Sequence, residues 1–92
     1  MASITVTVGS AVGLHARPAT IISEAASDLD AEVTLATPDG EPVEADSALL
    51  IMTLGASRGD LVIVSSDDEE AAKKIAALVA LDLDDPSYEP EA

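Results

Sequence analysis

The only histidine of this chain lies in a short segment whose residue types suit phosphate chemistry. In "GLHARPA", residues 13–19, His15 stands two residues before Arg17 and three before Pro18. An imidazole has an unperturbed pKa of about 6.5, so at neutral pH much of it is a neutral nucleophile. A guanidinium is a planar, permanent cation that suits phosphate oxygens. The segment therefore indicates phosphoryl transfer through a phosphohistidine, with Arg17 stabilising the charge that develops.

The same residues also allow readings without catalysis. From spacing alone, His15 is compatible with a surface or capping residue, Arg17 with a solvated charge, and the pair with an anion site that does no chemistry. A metal site is disfavoured, because one histidine and no cysteine leave only carboxylates as further ligands. We expect neither a metal nor a cofactor, and the residues alone indicate an anion site with a candidate nucleophile.

An amphipathic helix must position this segment. Apolar residues recur at three- and four-residue spacing from Ala16 to about Leu29, and Pro18 suits the first turn, where a missing N–H costs nothing. His15 would then lie at or just before the N-cap. There the unsatisfied amides and the positive end of the helix dipole favour an anion.

The remaining patterns predict strands and two further helices. Alternation predicts a strand over 3–8, a hairpin joins 31–36 to 41–45 through "TPDG", and an apolar run predicts a strand over 60–65. Helices are predicted over 47–56, where Gly55 ends the apolar run, and over 66–83, where Ser66 and Glu69 have capping-box spacing. The order predicts an α+β fold, with an antiparallel or mixed sheet of about four strands covered on one face by helices.

Composition limits both size and partners. The 92 residues allow one domain, over 1–83, and the acidic, proline-containing segment 84–92 is expected to be a flexible tail. With one aromatic residue, the core must consist of Ala, Val, Ile and Leu. A net charge of -14 disfavours binding to nucleic acid or anionic membranes. The absence of cysteine, of a signal-like N-terminus and of a run long enough to span a membrane leads us to expect a cytoplasmic protein without membrane insertion.

Two motifs together resemble one known family. "GLHARPA" is similar to the active-site signature of HPr, the histidine-containing phosphocarrier of the bacterial sugar phosphotransferase system, and "DSALLIMTLGA" is similar to its second signature. The resemblance implies an open-faced β-sandwich, β-α-β-β-α-β-α, with a four-stranded antiparallel sheet and three helices. It further implies that His15 accepts a phosphoryl group on Nδ1 from phosphorylated enzyme I and donates it to sugar-specific IIA components. Arg17 and the backbone amide of Ala16 would stabilise that group.

The resemblance also implies a docking surface and a regulatory serine. Thr20, Leu49, Met52 and Thr53 match the positions that contact partners in the family. We expect Leu49 and Met52 to be exposed, and Leu50, Ile51 and Leu54 to contribute to the core. Ser47 matches a serine that a dedicated kinase phosphorylates in some bacteria, although as an N-cap it needs no such role. Because the one exposed patch is assigned to transient partners, we expect a monomer.

Three functions are compatible with these residues. The first is a phosphocarrier, which forms a phosphohistidine but depends on other enzymes for turnover. The second is a regulatory binding module controlled by phosphorylation of Ser47. The third is a nitrogen-related paralogue that feeds a signalling chain instead of sugar uptake. His15 with Arg17 supports the first and third, and Ser47 with the apolar patch supports the second.

Overall fold

The computed structural model describes residues 2–9, 13–14 and 16–81, and it contains the predicted elements in the predicted order. The strands and helices are β1 Ala2–Thr7, α1 Ala16–Ser27, β2 Val33–Ala36, β3 Val43–Glu44, α2 Ala48–Thr53, β4 Leu61–Ser66 and α3 Glu69–Ala80. The segment 84–92, predicted to be a flexible tail, lies outside the described residues, so that prediction stays untested.

The four strands form one antiparallel sheet in the order β1-β4-β2-β3. The central strand β4 pairs with β1 through Ile4 opposite Val64, and with β2 through Leu35 opposite Val64. Helix α3 packs on β1 and β4, and α1 packs against both α2 and α3. The predicted α+β open-faced sandwich, with its helices on one face, is confirmed.

The core consists of small and medium aliphatic side chains, as the composition predicted. The buried hydrophobic side chains among the described residues are all Ala, Val, Leu or Ile, and the largest fully buried ones include Leu14, Ile22, Leu35, Ile51, Ile75, Val62 and Val64. Strand β1 alternates in exposure because its partly buried residues face the helices. The other face of the sheet is polar there: the hydroxyls of Ser3 and Ser65 lie 2.9 Å apart.

The hairpin between β2 and β3 forms where the sequence predicted it. The amide of Gly40 donates to the carbonyl of Thr37 across 3.0 Å and closes the turn. β3 is only two residues long and lies at the edge of the sheet, just after Pro42. A proline cannot donate to a strand ladder, which accounts for the late start of this strand.

The start of α3 differs from the predicted capping box. Asp68 is the N-cap, and its carboxylate accepts from the amides of Glu70 and Ala71. Ser66 ends β4 instead, where its hydroxyl donates to the carbonyl of Glu32 across 2.7 Å and accepts from the amide of Asp68. The predicted role of Ser66 is wrong because this tertiary hydrogen bond keeps it in the sheet.

Two glycines fix the path from β1 to α1. The amide of Gly9 donates to the carbonyl of Val79 across 3.1 Å, and a Cβ on Gly9 would lie 2.1 Å from the carbonyl oxygen of Ala80. Gly13 has a φ of +75°, and a Cβ there would lie 2.4 Å from the carbonyl oxygen of Ala56. The chain therefore passes close to the end of α3 and then close to the loop after α2.

No helix in the described part of the chain is both long and apolar enough to span a membrane.

Candidate functional site

The residues on either side of His15 define the position of the candidate site. His15 itself lies outside the described residues, but Leu14 and helix α1 are both described. Leu14 is 1% exposed, and its amide donates to the carbonyl of Ala56 across 3.0 Å. The chain is thus anchored in the core immediately before His15 and enters α1 immediately after it.

Helix α1 buries one side and presents the other at its first turn. Pro18, Ala19 and Ile22 are buried, whereas Arg17 and Thr20 are exposed. The predicted helix start at Ala16 is confirmed. Its first turn contains no acidic side chain. Backbone amides of a first turn lack partners within the helix, so this end of α1 is electrostatically suited to an anion.

A tight turn after α2 lies next to Gly13. The amide of Ser57 donates to the carboxylate of Asp60 across 3.0 Å, and the amide of Asp60 donates back to the carbonyl of Ser57 across 2.9 Å. Gly59, with a φ of +89°, donates to the carbonyl of Val8. This turn holds Arg58, which is exposed. The sequence patterns did not assign a role to Arg58, because the contact of its neighbour Ser57 with Gly13 joins residues far apart in the chain.

The contact between these two loops is close. A Cβ on Gly13 would lie 3.0 Å from the Cα of Ser57, in addition to its overlap with Ala56. Only a residue without a side chain therefore fits between the His15 loop and the loop after α2. As a result, the backbone on both sides of the site is fixed by the fold.

Helix α2 presents apolar side chains just before the loop that contacts Gly13. Leu49 is 70% exposed and Thr53 is exposed, as expected of a docking surface. Met52 is partly buried against the core, so the prediction that it would be exposed is only half right. Leu50 is 38% exposed and the prediction of a core role is wrong, whereas Ile51 is fully buried as expected. Leu54 is partly buried against the core.

The short length of α2 explains these differences. The helix spans only six residues and directs Ile51 into the core. Successive helical residues point about 100° apart, so the neighbours on both sides of Ile51 cannot share its full burial. Leu49 and Leu50 together form an exposed apolar surface, which we call the α2 patch.

Ser47 has a structural role at the start of α2. It is the N-cap, and its hydroxyl accepts from the amide of Leu50 across 3.3 Å. Its carbonyl also accepts from the amide of Ile51 across 3.0 Å. The side chain is of intermediate exposure. The capping alternative raised from the sequence is therefore confirmed, and the regulatory role stays a hypothesis.

A cluster of charged residues lies on α3. The described residues include no group of three or more potential metal ligands. On α3, the hydrogen bond from Lys73 to Glu69, followed by the negative charges of Glu69 and Glu70, raises the pKa of Lys73 above its ordinary value. The Lys73 Nζ to Glu69 Oε1 distance is 3.1 Å, but both groups are exposed. This ion pair is a surface feature of α3.

Comparison with known proteins identifies relatives over nearly the whole chain. The family model described as the PTS HPr component phosphorylation site matches residues 2–82. The phosphocarrier protein HPr of Streptomyces coelicolor is 47% identical over 88 residues, covering 92% of this chain and 95% of that protein. The phosphocarrier protein NPr of Klebsiella oxytoca is 31% identical, covering 84% of this chain and 86% of that protein. A crystal structure of HPr from Bacillus anthracis superposes with a TM-score of 0.79 at 31% identity, covering 85% of this chain and 95% of that one.

Proposed function

This chain belongs to the HPr family of phosphotransferase-system phosphocarriers, and from that premise we propose that His15 receives a phosphoryl group from phosphorylated enzyme I and passes it to IIA components. The observation that carries the proposal is the anchoring of the "GLHARPA" segment. Leu14 is held to Ala56, and α1 begins at Ala16 with Arg17 exposed in its first turn. This arrangement supports the proposal because the residue before His15 is anchored and a helix begins directly after it.

The proposed step is an in-line transfer between two proteins. A lone pair on the imidazole Nδ1 of His15 forms the new bond to phosphorus, while the bond between phosphorus and enzyme I breaks and its electron pair stays on enzyme I. In this proposal the amides of Ala16 and Arg17 and the guanidinium of Arg17 stabilise charge on the equatorial oxygens. Transfer to a IIA component is the same step in the opposite sense, with His15 as the leaving group.

Recognition by two successive partners is assigned to the surface next to His15. The α2 patch supplies exposed apolar area, and Thr20 and Thr53 are exposed polar residues on α1 and α2. Exposed leucines near a reacting group are typical of a contact surface. Since each partner must leave after transfer, the interface is expected to be small and transient. We place this carrier in the cytoplasm, where the phosphotransferase system uses phosphoenolpyruvate.

Label transfer to a IIA component tests the whole route. The protein, enzyme I and a IIA component from the same cell are incubated with phosphoenolpyruvate labelled in its phosphoryl group. Label should reach the IIA component only when the wild-type carrier is present, and His15→Ala should abolish it. Ser47→Ala serves as a folded control that retains transfer. Equal labelling of the IIA component with His15→Ala would contradict the proposal.

A second candidate is supported by the similarity to NPr proteins. A nitrogen-related paralogue would perform the same chemistry at His15 but would phosphorylate a signalling IIA component. Rates of transfer to a sugar-specific and a nitrogen-related IIA component separate the two functions. The higher identity to the Streptomyces coelicolor HPr favours sugar uptake.

Regulation through Ser47 is a further proposal that depends on a serine kinase. The hydroxyl of Ser47 caps α2 directly beside the α2 patch, so a phosphate there would place a dianion next to the docking surface. Such a modification would weaken binding to an acidic partner and could create a site for a basic one. Incubation with cell extract and ATP, followed by mass analysis of wild type and Ser47→Ala, tests for it.

A further inference from the structure

Arg58 lies close to the His15 segment through contacts between two loops. Its neighbour Ser57 is packed against Gly13, since a Cβ on Gly13 would come within 3.0 Å of the Cα of Ser57. Gly13 is two residues before His15. Arg58 therefore follows directly on a residue that packs against the segment carrying His15, although the two residues are far apart in the chain.

The turn that holds Arg58 is fixed at both ends. Ser57 and Asp60 exchange two hydrogen bonds, of 3.0 and 2.9 Å, and Gly59 donates to Val8 at the end of β1. The side chain of Arg58 is exposed, and no carboxylate among the described residues lies within ion-pair distance of it. The turn thus exposes a full positive charge to solvent, next to a residue whose backbone contacts Gly13.

The positive charges of this chain are few and unevenly placed. There are four basic residues against 18 acidic ones. Lys73 and Lys74 are on α3, and Lys73 is paired with Glu69. Of the other two, Arg17 lies within the His15 segment and Arg58 follows Ser57, which packs against Gly13 of that segment. With a net charge of -14, the rest of the molecule repels an anionic partner, and these two arginines are the local exception.

We propose that Arg58 is a second cationic contact for the phosphoryl donor, acting with Arg17 to attract and orient the phosphorylated, anionic surface of enzyme I. This inference rests on the proposed function, because it names a contact for the same transfer step. Arg58 takes no part in bond making or breaking. Its effect is on encounter and docking, so it lowers the KM of enzyme I for this carrier and leaves kcat nearly unchanged.

A charge-matched pair of variants tests the inference. Arg58→Gln and Lys74→Gln each remove one positive charge from an exposed residue, but only Arg58 is next to a residue that packs against the His15 segment. Phosphorylation by enzyme I is measured over a range of carrier concentrations at low and high salt. We expect the KM for Arg58→Gln to rise roughly 3- to 10-fold at low salt, with kcat within about twofold of wild type. Lys74→Gln should keep the wild-type KM.

The conservative variant and the salt series complete the test. Arg58→Lys should have a KM close to that of wild type, because it retains the charge. The difference in KM between Arg58→Gln and wild type should become smaller at high salt. Equal KM values for Arg58→Gln and Lys74→Gln, or a fall in kcat alone, would overturn the inference. A wild-type protein that enzyme I leaves unmodified would overturn the proposed function and this inference with it.

Discussion

The amide of Leu14 donates to the carbonyl of Ala56 across 3.0 Å, and this hydrogen bond joins the segment that carries His15 to the loop that follows α2. The segment and the loop are far apart in the chain, yet their backbones are in contact where Leu14 and Ala56 are both buried. The residue immediately before His15 is therefore joined to the loop that follows α2. We expect this link to limit the movement of the segment relative to the α2 patch, which would lower the entropic cost of aligning the reacting atoms.

Substitution of Gly13 tests the importance of this contact. Gly13→Ala adds a Cβ at a φ of +75° and 2.4 Å from the carbonyl oxygen of Ala56. We expect it to lower the free energy of unfolding by roughly 2–4 kcal/mol, from backbone strain and overlap together, and to slow phosphorylation of the folded protein. Chemical denaturation and initial rates of phosphorylation measure both effects.

Gly55 provides the control for that substitution. It also has a positive φ, of +64°, but a Cβ there would meet nothing within 4 Å. Gly55→Ala should therefore cost only the backbone term, roughly 1–2 kcal/mol, and leave the rate of phosphorylation close to wild type. Equal losses of stability and rate in the two variants would show that the close approach of Gly13 to Ala56 has no special effect.

The α2 patch can be tested without disturbing the core. Leu49 is 70% exposed, so Leu49→Gln should change the free energy of unfolding by less than about 0.5 kcal/mol. It should nevertheless raise the KM for enzyme I several-fold, because apolar contact area is lost from the interface. Leu61, which is 49% exposed on β4, gives the matched control. An identical KM for Leu49→Gln and Leu61→Gln would exclude a docking role for Leu49.

Ser47 variants separate capping from regulation. Ser47→Ala removes the hydroxyl that accepts from Leu50 and should cost about 1 kcal/mol of stability, while transfer through His15 continues. Ser47→Asp keeps a capping side chain and should retain most of the stability, but it adds a negative charge beside the α2 patch. Thermal unfolding and transfer kinetics of both variants are the measurements. If Ser47→Asp transfers as fast as wild type, a negative charge at this position does not regulate docking.

Asp68 should be the residue that sets the start of α3. Asp68→Ala removes the carboxylate that accepts from Glu70 and Ala71 and is expected to cost about 1 kcal/mol. Asp67→Ala removes the same charge one position earlier, where the side chain does not cap the helix, and should be nearly neutral. Urea denaturation of the two variants measures the difference. A larger loss for Asp67→Ala would contradict the assignment of the cap.

Much of the fold follows from local patterns in the sequence. The alternation of β1, the proline before β3 and the apolar stripe of α1 each depend on residues close together in the chain, and all three elements form near the predicted positions. The helices are shorter than predicted at their ends. α1 stops at Ser27 instead of Leu29, and α2 stops before Gly55, whose positive φ ends the helical conformation.

The errors arise where distant contacts decide between local alternatives. Ser66 and Asp68 are both residue types that commonly cap helices. The hydrogen bond from Ser66 to Glu32 keeps Ser66 in the sheet, so Asp68 is the cap of α3. Leu50 is exposed because a six-residue helix buries only part of its apolar run. Arg58 follows Ser57, whose packing on Gly13 no pattern within either segment could indicate. The prediction of His15 as the phosphoryl acceptor depends on its motif alone and stays a prediction, because His15 lies outside the described residues.

The most direct test of the central claim is the intact mass of the protein after incubation with phosphoenolpyruvate and enzyme I from the same cell. Wild type should gain a single phosphoryl group that is lost in acid, and His15→Ala, shown to be folded, should gain none. An unmodified wild type, with an enzyme I that phosphorylates itself, would contradict the account. An equal gain of mass by His15→Ala would also contradict it, because the phosphoryl group would then reside on another residue.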